Sequence, residues 1–228
     1  MAAFPGPKGT TILVRNHEIN PAVTPTVGPF GKDNNKLTDG IRAKLYDPGE
    51  RPNLGARVPC LGGTTTLVYD TQRQRTVQQF LSLSGTLRNC AGGLTPWGSW
   101  ITCEETVERA GKVCSLDHGY NFEVPATAKP HLAQAVALKA MGRFNHEAIA
   151  VDPKTGIVYQ TEDRHDGLLY RFIPNVKGQL ARGGKLQALV VEDAAALDTS
   201  NCEEQRVQVG GKLTVRWLEI YHVESPKD

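Results

Sequence analysis

The chain has 228 residues, enough to bury a sizeable core in one large domain or two small ones. Its 26 basic and 24 acidic residues nearly balance, at +2, which by itself argues neither for nor against a nucleic-acid or membrane partner; no nucleic-acid partner is expected. No apolar run approaches the ~18 residues of a membrane-spanning helix, and MAAFPGPKGT lacks the charged-then-apolar order of a secretory signal. The five cysteines, at 60, 90, 103, 114 and 202, are odd in number and show no CxxC spacing. A zinc knuckle is therefore not expected, and at least one thiol should be free or a ligand.

The elements read as short strands separated by turns. TILVR (11–15) is a branched-apolar run that ends in NHE, Asn16 to Glu18. A Pro-, Gly-, Asn- and Asp-rich loop (19–62) follows, longer than an ordinary connection. TTTLVYD (64–70) and TVQQFLSL (76–83) flank a polar turn and predict a hairpin. GLTPWGSWITCEE is a turn and a strand ending in acids, and GYNFEVP (119–125) with AQAVAL (133–138) predicts a second hairpin. HEAIAVDPKTGIVYQTED (146–163) is a hairpin around DPKTG, a type I turn. LLYRFIP (168–174) and LQALVVE (186–192) pair as the last hairpin.

One unit thus recurs: an inner hairpin ending in NHE, CEE or TED, then an outer hairpin. Four-strand units of ~40–50 residues are the blades of a β-propeller. The expected fold is all-β, with blade-like units at about 1–83, 84–139 and 140–192, and 193–228 opening a further blade. About three blades do not close a ring of ~4–8. The chain is accordingly expected to be a fragment, prone to self-associate through open propeller edges.

Inner strands line a propeller's channel, so corresponding strand ends converge. Glu18, Glu104, Glu105, Glu162 and Asp163 occupy such ends. Clustered carboxylates resist ionising together, and a polyvalent cation removes that conflict. Cys103 adds a soft donor that suits iron better than calcium. Asn89 and Cys90 in RNCAGG, and Asn145, His146 and Glu147 in RFNHE, precede inner hairpins and lie near the channel too. Cys60, Cys90 and Cys114 are read as structural, and Trp97 and Trp100 as packing between blades. Arg88, Arg143, Arg164 and Arg171 flank the acidic ends. Arginine beside a metal cluster suits a bidentate grip on phosphate.

Six stretches carry a resemblance: LVRNHE (13–18), GGTTTLVYD (62–70), SGTLRNCAGGLTPWGSWITCEE (84–105), HGYNFEVP (118–125), GRFNHEAIAVDPKTGIVYQTED (142–163) and LYRFIPN (169–175). Together they resemble the PhoX-type alkaline phosphatase family over most of residues 1–192. The resemblance implies a six-bladed propeller, an iron and calcium centre bridged by an oxo group, twin-arginine export to the periplasm or beyond, and hydrolysis of small phosphate esters. Carried onto this chain, Cys103 resembles the iron-binding cysteine. Glu104, Glu105, Glu147 and Glu162 resemble the carboxylate ligands, joined by Asn16, Glu18 and Asn89. Asp163 is the further metal candidate from the strand-end pattern, and Arg164 and Arg171 are the expected phosphate-handling arginines. The family's export signal and later blades have no counterpart in these residues. Two other readings use the same carboxylates: a calcium-dependent, lactonase-like propeller hydrolase, and a non-enzymatic surface or interaction protein with structural calcium. Bound iron separates the first reading from both.

Overall fold

The computed structural model describes residues 1–20, 28–51, 56–111, 113–192, 194, 197–202 and 204–225. In chain order the strands are β1 (Ala2–Pro5), β2 (Thr10–His17), β3 (Glu50–Arg51), β4 (Ala56–Arg57), β5 (Gly62–Asp70), β6 (Arg75–Thr86) and β7 (Asn89–Leu94). They continue with β8 (Ser99–Glu104), β9 (Asn121–Pro125), β10 (His146–Val151), β11 (Val158–Glu162), β12 (Leu169–Pro174), β13 (Gly184–Val191) and β14 (Val215–Glu219). The long loop holds a short helix, α1 (Asp39–Arg42), whose first turn is capped by Thr38 Oγ1 accepting from the Ile41 amide.

The protein is all-β, and its strands form three antiparallel meanders of the blade type: β1-β2-β5-β6, β7-β8-β9 and β10-β11-β12-β13-β14, with β3-β4 a small ribbon. Each expected hairpin is present except one. Residues 133–138 make a single bridge, Ala137 to Phe122, and no ladder. Their amides are used elsewhere: Ala133 donates to Ser82 O and Ala135 to Lys44 O, so the segment straps the first sheet and its loop. The stretch expected to open a further blade supplies β14, which pairs with β13 from Gln187↔Glu219 to Val191↔Val215.

The sheets stack through their faces, and β8 shows why its sequence is so apolar. All six of its residues are buried, because opposite faces of a strand here meet different sheets. Trp100 packs with Ile12, Val14 and Leu83 of the first sheet, while Ile101 and Cys103 pack with Ile149, Val158 and Phe172 of the third. The first and second sheets are further joined by Asn16. Its Nδ2 donates to Cys90 O (3.0 Å) and Ala91 O (2.6 Å), and its Oδ1 accepts from Trp100 Nε1 (2.8 Å) and Thr102 Oγ1 (3.0 Å). Between the second and third sheets, β7 lies against β10. A Cβ added at Gly93 would stand 2.1 Å from Ile149 O, so only glycine permits this approach.

Candidate metal centre

Two matching irregularities aim side chains into one place. In the β7–β8 ladder, Asn89 pairs with Glu104, but the next partners are Gly92 and Thr102. In the β10–β11 ladder, His146 pairs with Glu162, then Ile149 with Gln160. Each inner strand therefore carries one extra residue, a β-bulge, just after its first pair. Bulges re-aim side chains relative to strand alternation. The residues they re-aim are Cys90 and Glu147, and the Cys90 thiol donates to Glu147 Oε1 at 3.5 Å.

The partner strands end beside them. Glu105, the first residue past β8, bridges to Asn145, and the amide of Asp163, just past β11, donates to Asn145 O at 3.0 Å. One oxygen from each of Glu105, Glu147 and Asp163 lies within 4.8 Å of the others, and Glu18, Cys90 and Glu105 meet the same test. Glu105 belongs to both groups and joins them into one site. Burial, then the Asp163 and Glu147 carboxyls, push the Glu105 carboxyl up against the opposing pull of Arg88 and Cys90. Burial first, then Glu147, Glu18 and Glu105, push the Cys90 thiol up to about 12. Both effects describe a donor set short of positive charge.

The remaining candidates make other contacts. Glu104 faces away from Glu105 by strand alternation. Its carboxylate is fully buried, accepts from the amides of Leu87, Gly119 and Tyr120, and pairs with His118 Nδ1 at 2.7 Å. Glu162, its counterpart on β11, accepts from Tyr170 Oη (3.0 Å) and the Leu168 amide. Asn89 is buried against Thr86 and Thr102, and Asn16 spends all its amide capacity on the clip already described. Cys103 is 0% exposed in the core behind the site, where burial, then Glu147 and Cys90, hold its thiol well above its ordinary range. Arg143 is buried and donates to the carbonyls of His118, Val107 and Glu108. Arg164 pairs with Asp166 at 3.0 Å. Arg171 donates to Gln187 and lies over the Trp217 ring at 4.4 Å, two strands out from β10.

Arg88 pairs with the acidic group. Its Nη2 is 3.4 Å from Glu105 Oε1, and its side chain is 38% exposed. Its backbone is left-handed, φ 44°, which is costly for a residue with a Cβ. Hydrogen bonds on both sides hold it there, from its own amide to Ile19 O and from the Glu105 amide to its carbonyl. Arg88 also lines an open cleft of about 690 Å³ with Thr106, Val107, Glu108, Arg109 and Asn145. Pattern reading took Cys90 as structural, whereas the structure sets its thiol beside Glu147, Glu18 and Glu105. The available signal was the matching position of RNC and NHE ahead of the two inner hairpins.

The fold and the site together define a β-sheet protein whose strand ends gather carboxylates and a thiol that could hold metal ions. The chain belongs to the alkaline phosphatase PhoX family, which it matches over residues 1–227. Among solved structures it is similar to Pseudomonas fluorescens PhoX in complex with vanadate, a transition state analogue, at 18% identity and a TM-score of 0.47. That similarity covers 83% of this chain and 44% of the other, so the chain spans less than half the length of that protein. No curated protein matches it. Among the described residues, no helix is long and apolar enough to cross a membrane.

Proposed function

We propose that the chain carries a metal-dependent phosphatase centre acting on small phosphate esters, held by Glu18, Cys90, Glu105, Glu147 and Asp163. The observation that carries this reading is the convergence of these five side chains beside the Arg88 cleft, in a chain of the alkaline phosphatase PhoX family. The donor set fits iron and calcium together: carboxylates suit hard cations, and a thiolate suits iron. Bound there, such ions would supply Lewis-acid polarisation of a phosphoryl group and lower the pKa of water.

The chain's own residues account for the rest. Arg88 keeps its guanidinium at the mouth of the cleft, where its planar fork can turn from Glu105 to two phosphate oxygens. The left-handed backbone at Arg88 spends local strain on that direction. Asn145 ties the ends of β8 and β11 together through its backbone, which keeps Glu105 and Asp163 in register. Glu104 supports the site from behind by fixing the 118–120 segment, without contributing a donor. A location outside the cytoplasm is part of this reading.

The test is metal analysis alongside aryl phosphate hydrolysis. Cys90→Ser should lose iron and phosphatase activity. Cys103→Ser, a near-isosteric change in the core, should keep iron and cost mainly stability. The reverse pattern would return the ligand role to Cys103. Calcium without iron, and no phosphate release, would favour the lactonase-like or non-enzymatic readings.

A further inference from the structure

A second group of metal-ligating side chains is enclosed on the opposite face of β8, outside the acidic cleft. Asp47 and Cys60 come from the long loop after β2; Cys114 and His118 come from the β8–β9 connection. Asp47, Cys114, His118 and Glu104 are 0% exposed and Cys60 is 4% exposed. One ligand atom from each of Asp47, Cys114 and His118 lies within 4.8 Å of the others. His118 Nε2 stands 3.3 Å from Asp47 Oδ2 and 3.7 Å from Cys60 Sγ.

Both carboxylates are fixed independently of the imidazole. Asp47 accepts from the amides of Gly49, Ser115 and Leu116 and from the Ser115 hydroxyl. Glu104 accepts from three amides and holds His118 Nδ1 at 2.7 Å. The ring is thereby oriented with Nε2 toward Asp47 and the cysteines.

We propose that Asp47, Cys114 and His118 form a buried structural site for a zinc-type cation, with Cys60, outside that group but 3.7 Å from His118 Nε2, drawn in as the fourth ligand. Bonds of about 2.0–2.3 Å at tetrahedral angles put neighbouring N, O and S ligand atoms about 3.2–3.8 Å apart. The 3.3 and 3.7 Å separations around Nε2 fall in that range. A carboxylate on the far nitrogen of a ligating histidine is the usual outer partner of such a site, and Glu104 fills that role. Calcium, which takes oxygen ligands, does not suit this mixed set. On binding, the two thiols and Nε2 release their protons to solvent, while Nδ1 keeps its own toward Glu104. The competing arrangement is an imidazolium held between Asp47 and Glu104, with Cys60 Sγ beside Nε2 and the Cys114 thiol donating to Arg109 O at 3.1 Å; cation binding would replace that thiol bond. The site joins the long loop to the β8–β9 connection, and CxxC spacing misses it because its ligands are far apart in sequence.

The test uses cobalt as an optical stand-in for zinc, in the Cys90→Ser variant of the 228-residue chain, which removes the thiol of the acidic centre. That variant should bind about one equivalent of cobalt with tetrahedral absorption and a sulfur-to-cobalt charge-transfer band, displaced by zinc. Adding Cys114→Ser, or Cys60→Ser, should weaken the sulfur band and lower affinity at least about tenfold. Absence of the band from folded Cys90→Ser protein overturns the proposal without needing a second substitution. So does non-reducing mass analysis showing Cys60 and Cys114 joined as a disulfide in the native chain.

Discussion

Replacing Asn16 by alanine separates a clip from a ligand. Asn16 makes four side-chain hydrogen bonds, two donated to the Cys90 and Ala91 carbonyls and two accepted from Trp100 and Thr102. Each neutral bond contributes about 1 kcal/mol net, and buried groups left without partners cost about 1–3 kcal/mol. Trp100 is 5% exposed and Thr102 0%, so at least these two donors would be stranded. The expected loss is about 3–4 kcal/mol, a large share of the ~5–15 kcal/mol that holds a typical domain together. With a urea slope of about 1–3 kcal/mol/M, the midpoint should fall by about 1–4 M. Urea titration followed by tryptophan fluorescence reads this directly, since Trp100 is one of the partners. Asn16→Asp should be at least as damaging, because a carboxylate would then face two carbonyl oxygens. A loss under about 1 kcal/mol in Asn16→Ala, well below that of a stranded donor pair, together with reduced metal content would refute the clip. Retained stability in Asn16→Asp with metal content intact would refute it as well.

Arg88→Gly should leave stability nearly unchanged, because relief of the left-handed strain offsets glycine's entropy of about 0.5–1 kcal/mol. The same change should raise KM for an aryl phosphate, and unchanged KM would remove Arg88 from substrate binding. Arg171→Ala should leave turnover intact, since that side chain is engaged with Gln187 and Trp217; a collapse in kcat would contradict its placement. Gly93→Ala should cost about 1–3 kcal/mol or more by driving a methyl into the Ile149 carbonyl and parting β7 from β10. Gly98→Ala, with φ 82° and open space around it, should cost only the left-handed penalty of about 1–2 kcal/mol. A Gly93→Ala variant with the melting temperature of the unsubstituted chain would argue against close packing at β7–β10.

The strands were legible in the sequence because each hairpin is a local event. TTTLVYD and TVQQFLSL carry their own β-propensity and turn chemistry, and the DPKTG turn is written in five residues. The recurrence of CEE and TED likewise marked the end of the sheets where acids gather. The 133–138 segment misled because its apolar alternation is real, yet its amides bond to Ser82 and Lys44 carbonyls, partners that no local pattern reveals. The choice between adjacent acids also lay beyond local reading. Of each pair, the second, Glu105 or Asp163, joins the site, and the first, Glu104 or Glu162, turns to His118 or Tyr170. Alternation says that neighbours face opposite ways, but only the stacking of sheets says which face is which. Cys90 and Glu147 depended on one extra residue in each inner strand. A bulge shifts register relative to a partner strand, so it exists only once the two strands are paired. Sequence thus determined the strands, the repeat and the acidic ends, which follow from short-range preference. Tertiary structure decided which carboxylates and which thiol meet, because that depends on register and on the packing of one sheet against the next.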